Sequence, residues 1–278
     1  MSPDSGPVYL DAHLHLQDAR LRPHLDDIAA ELRRRAVSRW VVAGTRETDW
    51  PEVARLAERF PEVMPCYGLH PWYLADRTPD WEPALADFLS RPGTAAVGEI
   101  GLDKWIRDHR IEEQETVFRA QLRLAARLGL PVVIHCLRAW GRLLAVLRDE
   151  APFPAGFLLH SYAGPAEMTD DFASLGGYFS FSGYFLHPRK ADVVETFRRL
   201  PLDRILIETD APDMRLPEEW EACPLFSIDG EPINHPANLP AIYAGLAAAL
   251  GIEVTVLAGQ VATNFHRLFG FAGIGNPL

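Results

Sequence analysis

The sequence predicts an α/β fold of the (β/α)8 TIM-barrel class, one domain over residues 1–278 with a long loop after the eighth strand. Three observations predict it. Eight short apolar runs alternate with amphipathic stretches of helical period, the pattern of a parallel sheet wrapped by helices. A chain of 278 residues is the size that eight such units require. No GxGxxG or Walker pattern follows any run, which weakens the runner-up, an open doubly wound sheet.

The first run is 8–11, VYLD, and a helical pattern over 23–36 follows it, beginning at Pro23. The second run, 40–44 WVVAG, precedes a helix over 51–60 that starts with Pro51. Proline is favoured in a first helical turn, where its missing N–H has no partner to lose. Run three, 63–69 VMPCYGL, leads to a helix over 80–90, and run four, 95–100 AAVGEI, to one over 112–128. That helix stops at LGLP, a glycine followed by a proline. Runs five to seven are 132–135 VVIH, 156–160 GFLLH and 178–182 YFSFS, with helices over 139–150, 165–175 and 188–199. Pro165 and Pro188 open the last two. Run eight, 205–210 ILIETD, is followed by the five-proline segment 211–236, then by helices over 237–250 and 253–268. A loop of that length on a compact domain is usually functional. Here it would lie at the barrel mouth, where Trp220, Cys223 and Phe226 would narrow the entrance.

Composition excludes several classes. A net charge of −11 argues against an extended nucleic-acid groove, though not against a small site that takes a strand end. Three cysteines without a CxxC imply neither a disulfide framework nor a zinc ribbon. The opening MSPDSGPVYL lacks a basic segment followed by an apolar one, and no run of about 18 apolar residues occurs, so a cytoplasmic protein with no membrane contact is expected.

Polar residues carry the functional signal. A barrel enzyme keeps its chemistry at the C-terminal ends of its strands. Of ten histidines, five fall at such ends: His13, His15, His70, His135 and His160. Glu99 in VGEIG and Asp210 in IETD do the same. In VYLDAHLHLQD, period-two alternation sends Asp11, His13 and His15 to one face. Two imidazoles on one face build a poor core and a good metal site. The set His13, His15, Glu99, His135, His160 and Asp210 suits two divalent ions, Mg, Mn or Zn, better than one structural zinc. Glu99, between the pair on strand one and the pair on strands five and six, is the natural shared ligand. Asp210 can both ligate and accept the proton of an attacking water. Asp11, one step deeper, is expected to orient a ligand from behind.

At this point the residues resemble the TatD-like metal-dependent hydrolases of the amidohydrolase superfamily. DAHLHL resembles their opening HxH, GLHPWY their GxHP, VGEIGLD their GEIGLD, PVVIHC their strand-five histidine and LLHSYAG their HxFxG. YFSFSG, LIETDAPDM and VATNFHRLF follow in the family order, so the resemblance spans about residues 8 to 270. It implies a barrel with a two-metal site: His13, His15, Glu99 and Asp210 around one ion, Glu99, His135 and His160 around the other. It places Asp210 as general base and His70 near the substrate phosphate, with Arg138 and Asp103 as further substrate contacts. One departure concerns Arg138. HCLRAW stands where the family usually has HxRxA, so Leu137 takes the arginine place and Arg138 comes one residue later. Lys104, Arg107, His109 and Arg110, in the loop after strand four, read either as a solvated loop, the favoured reading, or as a second set of phosphate contacts at the barrel mouth.

The expected activity is a metal-dependent phosphodiesterase, a deoxyribonuclease of the 3′-end exonuclease type, acting on a single-stranded nucleic acid end or another small phosphodiester or ester. No obligate protein partner is implied. The alternative is a metal-dependent amide or ester hydrolase, of the lactone or aminoacyl-tRNA deacylase type. Many barrels of that kind bridge their metals with a carbamylated lysine. The chain has only two lysines, Lys104 and Lys190, and neither ends a strand. A non-catalytic binding barrel is the third class, and the complete ligand set argues against it.

Overall fold

The computed structural model describes residues 6–270, so the first half of the segment read above for a leader lies outside the described residues. Eight parallel strands form one sheet in sequential order, β1 to β8. They are β1 Tyr9–Leu14, β2 Val37–Ala43, β3 Val63–Tyr67, β4 Ala96–Asp103, β5 Val132–Leu137, β6 Phe157–Leu159, β7 Gly177–Ser182 and β8 Ile205–Glu208. The helices between them are α1 Leu25–Arg34, α2 Trp50–Arg59, α3 Trp81–Leu89, α4 Ile111–Leu128, α5 Trp140–Glu150, α6 Thr169–Ser174 and α7 Ala191–Arg199. After β8 come a two-stranded hairpin, β9 Pro224–Phe226 with β10 Pro232–Asn234, and the closing helices α8 Leu239–Leu250 and α9 Val254–Phe269. Among the described residues no single helix is long and apolar enough to cross a membrane.

Every expected strand and helix is present, and the bounds differ for identifiable reasons. Pro23 and Pro188 sit in tight 3-10 turns, Arg22–His24 and Pro188–Lys190, that lead into α1 and α7, and Pro165 precedes a third such turn. A proline with φ held near −65° starts such a turn as readily as an α-helix. The LGLP stop behaves as its composition requires: Gly129 adopts φ +66 and its N–H returns to Ala126. Strands β6 and β8 are shorter than their apolar runs because the backbone leaves the sheet in the left-handed region at Ser161 (φ +43) and Asp210 (φ +51).

Strands β1 and β8 meet to close the barrel. The stitching is local to the strand ends: Asp210 N–H donates to the His13 carbonyl at 3.0 Å and His15 N–H to the Ala211 carbonyl at 2.8 Å. From outside, the buried Tyr243 hydroxyl on α8 donates to the Leu10 carbonyl at 2.9 Å. Asp11 takes part in this seam. Its carboxylate accepts from the Thr209 hydroxyl at 2.6 Å and from the backbone N–H of Thr209 and His13. The expectation that Asp11 orients a histidine ring is therefore corrected. Among the described residues its carboxylate makes no hydrogen bond to an imidazole and instead ties β1 to the end of β8.

The short helix Pro236–Asn238, before α8, is capped by His235, whose Nδ1 accepts the Ala237 N–H at 2.9 Å. Burial pushes this imidazole down to about 4. It stays neutral in the fold while the unfolded chain takes up a proton near pH 6.5. Stability is thus fully present above pH 6.5 and is lost as pH falls toward 4. Between pH 7 and pH 5 the loss through this residue should be about 2 kcal/mol. Unfolding free energies from urea titration of the wild type and of His235→Asn, which keeps a capping acceptor, should converge by that amount at pH 5. An unchanged gap would mean His235 is not the group responsible.

Candidate active site

The glycines around Glu99 explain how a carboxylate is placed among imidazoles. Gly101, at φ +151, runs so close to β5 that a Cβ there would lie 1.9 Å from the His135 carbonyl. A Cβ on Gly98 would meet Val133 at 2.7 Å. Strand β4 can therefore approach β5 closely only with glycine on both sides of Glu99, and every residue of β4 is buried.

Glu99 is the centre of the cluster. Its Oε2 faces the Nε2 atoms of His13 (3.4 Å) and His15 (3.3 Å). Its Oε1 faces Nδ1 of His135 (3.1 Å) and Nε2 of His160 (2.9 Å) and His70 (3.2 Å). Asp210 Oδ1 lies 3.5 Å from His13 Nε2 and 3.4 Å from His15 Nε2, on the Oε2 side. All six ligand-type residues named from the sequence are thus brought together, with His70 added.

The far side of each ring decides what the near side can do. His15 Nδ1 lies 2.9 Å from the Ala43 carbonyl, which can only accept, so Nδ1 carries the proton. His135 Nε2 lies 2.9 Å from Asp103 Oδ2 in the same relation. Those bonds leave the inward nitrogens as lone pairs aimed at carboxylate oxygens. Such contacts need a cation, either a further proton on the ring or a metal ion between the groups. Hydrogen-bonded histidines facing carboxylates in this way are what divalent transition-metal sites use. His70 differs. Its Nδ1 accepts the Trp72 N–H at 3.1 Å, so its proton is on Nε2 and points into the site as a donor. Although His70 is close enough to be grouped with metal ligands, this tautomer cannot ligate. His13 Nδ1 is buried with no hydrogen-bond partner among the described residues.

Electrostatics agree with an appetite for cations. Burial opposes ionisation of Glu99, but the surrounding imidazoles, His70 and His160 foremost, hold it well below the usual carboxylate range. Burial disfavours charge on His15 and His160 as well. It is outweighed at His15 by Asp210 and Glu99, and at His160 by Glu99 and Glu208, so both are raised well above the usual value. Burial lowers His70 to about 4, so that ring stays neutral at physiological pH.

Two outer carboxylates were not assigned this role from the sequence. Asp103, expected to contact substrate, is fully buried and has both oxygens engaged. Oδ2 takes His135 and the Trp72 indole N–H (2.7 Å), and Oδ1 takes backbone N–H groups of Trp105 and Ile106. It stands behind His135 rather than before a ligand. Despite burial, those donors hold it at about 2. Glu208, buried two residues before Asp210, accepts from the Ser161 hydroxyl at 2.6 Å and from the Ser180 hydroxyl. Its Oε1 is 3.4 Å from His160 Nδ1, a charge contact rather than a hydrogen bond. Asp103→Asn should therefore weaken metal retention about 10- to 100-fold by releasing the His135 ring. Metal titration by calorimetry on the refilled protein checks this, and unchanged affinity would refute the orienting role.

The cluster forms the floor of a cavity of about 680 Å³. Its wall carries Arg20, Arg22, Arg46 and Arg55 together with Trp72 and Tyr73. Arg20 is held on both sides by Asp18 and Asp213, and Arg55 by Glu52. Arg22 and Arg46 have no carboxylate partner among the described residues, and the Arg46 guanidinium lies 4.6 Å above the Tyr73 ring. Arg20 and Arg46 come from the loops after β1 and β2, Arg22 from the turn that leads into α1, and Arg55 from α2. Arg138, expected at the phosphate, is instead exposed, in the left-handed region (φ +58), and stacked 3.9 Å over Trp105. Neither Arg138 nor Lys104, Arg107, His109 and Arg110 lines the cavity. Trp220, Cys223 and Phe226 do not line it either; the segment after β8 contributes Asp210, Asp213 and Met214 and then turns away into the hairpin. No lysine is among the lining residues.

Known proteins resemble this chain over most of its length. A family model described as TatD related DNase matches residues 10–270. The chain is 30% identical over 265 residues to the 3′-5′ ssDNA/RNA exonuclease TatD of Klebsiella pneumoniae, covering 94% of this chain and 97% of that protein. It is also 30% identical over 266 residues to the uncharacterized metal-dependent hydrolase YjjV of Escherichia coli, with the same coverage of 94% and 97%. The crystal structure of that TatD homolog superposes with a TM-score of 0.86 at 27% identity, over 94% of this chain and 98% of the other.

Proposed function

This chain belongs to the TatD-related DNase family of metal-dependent hydrolases, and on that premise we propose that it is a two-metal phosphodiesterase removing nucleotides from the 3′ end of single-stranded nucleic acid. The site lies at the C-terminal face of the barrel. His13, His15, Glu99 and Asp210 would hold one ion, and Glu99, His135 and His160 the other. The observation that supports the pairing is the division of Glu99, with Oε2 turned to one histidine pair and Oε1 to the other.

Two divalent ions supply Lewis acidity, which makes water nucleophilic near neutral pH and offsets charge on the leaving oxygen. The protein's own groups do the rest. Asp210, at the cavity side of the cluster, accepts the proton of the attacking water. His70, neutral and with its proton on Nε2, donates a hydrogen bond to a non-bridging phosphate oxygen. Ala43 and Asp103 keep the His15 and His135 rings in their ligating tautomers. Arg22 and Arg46 attract the phosphates upstream of the scissile bond, so an acidic protein presents a locally cationic mouth.

The deciding experiment strips the protein with chelator and restores Mg, Mn or Zn separately. A 5′-labelled single-stranded oligonucleotide is then compared with a panel of esters and lactones. Metal-dependent shortening from the 3′ end, one nucleotide at a time, is the expected result and identifies the working ion. Turnover of an ester or lactone with no cleavage of DNA or RNA would move the same site to carbonyl chemistry.

A further inference from the structure

We propose that Trp72 is the platform on which the 3′-terminal nucleobase stacks while its phosphodiester is cut. The proposal rests on the phosphodiesterase reading above. Trp40 and Trp50 are fully buried, whereas Trp72 is 51% exposed and forms part of the cavity wall. Trp105 is also exposed, at 59%, but the Arg138 guanidinium covers its ring and it does not line the cavity. Among the described residues no cation lies over Trp72. An indole left open beside a hydrolytic centre is a cost to solubility that a stacked ligand removes.

Two hydrogen bonds fix where this ring stands. The indole N–H donates to Asp103 Oδ2 at 2.7 Å, and the backbone N–H donates to His70 Nδ1 at 3.1 Å. The ring centroid lies 5.4 Å from that of His70 and 6.4 Å from that of His135, both edge-to-face. Trp72 is thus anchored to the outer partner of one ring and to the ring proposed to hold the phosphate. A side chain ordered before the ligand arrives gives up little freedom when it binds. Stacking on an aromatic plane accepts any base, since every base presents a π face. The reading therefore specifies a base-bearing but sequence-tolerant substrate, in preference to a bare phosphodiester.

The test uses the metal-loaded full-length enzyme and two oligonucleotides. They differ only at the 3′-terminal residue, which carries thymine in one and a tetrahydrofuran abasic sugar in the other. Wild type should lose about 10- to 100-fold in kcat/KM on the abasic end, mostly through KM. Trp72→Ala should be slower on the thymine end and should cut both ends equally. Trp72→Phe keeps a ring but not the bond to Asp103, and should retain most of the preference. If Trp72→Ala keeps the wild-type ratio between the two ends, or wild type itself has no preference, the platform is refuted. Equal losses on both ends in Trp72→Ala and in Trp72→Phe would assign Trp72 to support of Asp103 alone, again against the proposal. Absence of cleavage of either oligonucleotide by wild type would instead overturn the phosphodiesterase reading itself.

Discussion

Glu99→Gln is expected to leave the barrel folded, to empty the metal centre and to abolish hydrolysis. The substitution keeps the shape of a buried side chain and removes one charge from among five imidazoles. Removing one partner of a buried charge cluster costs on the order of 3–5 kcal/mol. Loss of a shared carboxylate ligand should lower metal affinity by more than the roughly 10- to 100-fold that an outer partner of a ligand contributes. Because Glu99 faces both histidine pairs, both ions should be lost together. Elemental analysis after dialysis, with circular dichroism as the control for folding, reads this directly. A folded variant that retained one ion per chain would show that Glu99 is not shared and would break the two-metal scheme.

Asp210→Asn should separate binding from chemistry. Asparagine tolerates the left-handed backbone that position 210 adopts. It preserves an oxygen near His13 and His15 but cannot take a proton from water. The expected loss is about 10²- to 10⁴-fold in kcat, the usual contribution of a positioned base, with KM changed far less. Single-turnover measurements at saturating metal are the appropriate check, because they exclude a simple fall in occupancy. A kcat within a few-fold of wild type would remove Asp210 from the proton-transfer role. The contrast between the two variants matters more than either alone, since Glu99→Gln should act through metal content and Asp210→Asn should remain slow even at saturating metal.

The residues at the strand ends were legible because two periodicities coincide there. Alternation through the end of β1 puts His13 and His15, the residue just past the strand, on one side, and a parallel barrel turns all its strands in one direction. Any ligand-type residue at the end of an apolar run is thereby sent to the same mouth. The groups behind the ligands were not legible in this way. Asp103 was placed before the substrate and Asp11 behind a ring, yet the first buttresses His135 and the second ties β1 to β8. Glu208 belongs to the same run as Asp210, but alternation alone cannot say that it backs His160. Such assignments depend on ring orientation and strand register, and a shift of one residue would reverse them.

The loops show the same division. Arg138 has the right composition and the right neighbourhood for a phosphate contact, and a left-handed backbone angle turns it onto Trp105 instead. Of the arginines that do line the cavity, Arg20 and Arg46 come from loops with no repeating pattern to read, and nothing in the period of α2 marks Arg55 as facing the site. By itself, then, the sequence determined the eight-unit architecture, the six residues that converge and the donor chemistry they offer, because burial period and residue type are properties of the chain. The tertiary structure alone decided which nitrogen of each ring faces inward, which carboxylates stand behind the site and which cations and aromatic ring form its wall. Those choices are set by contacts between segments far apart in sequence, whose angles and distances no local pattern encodes.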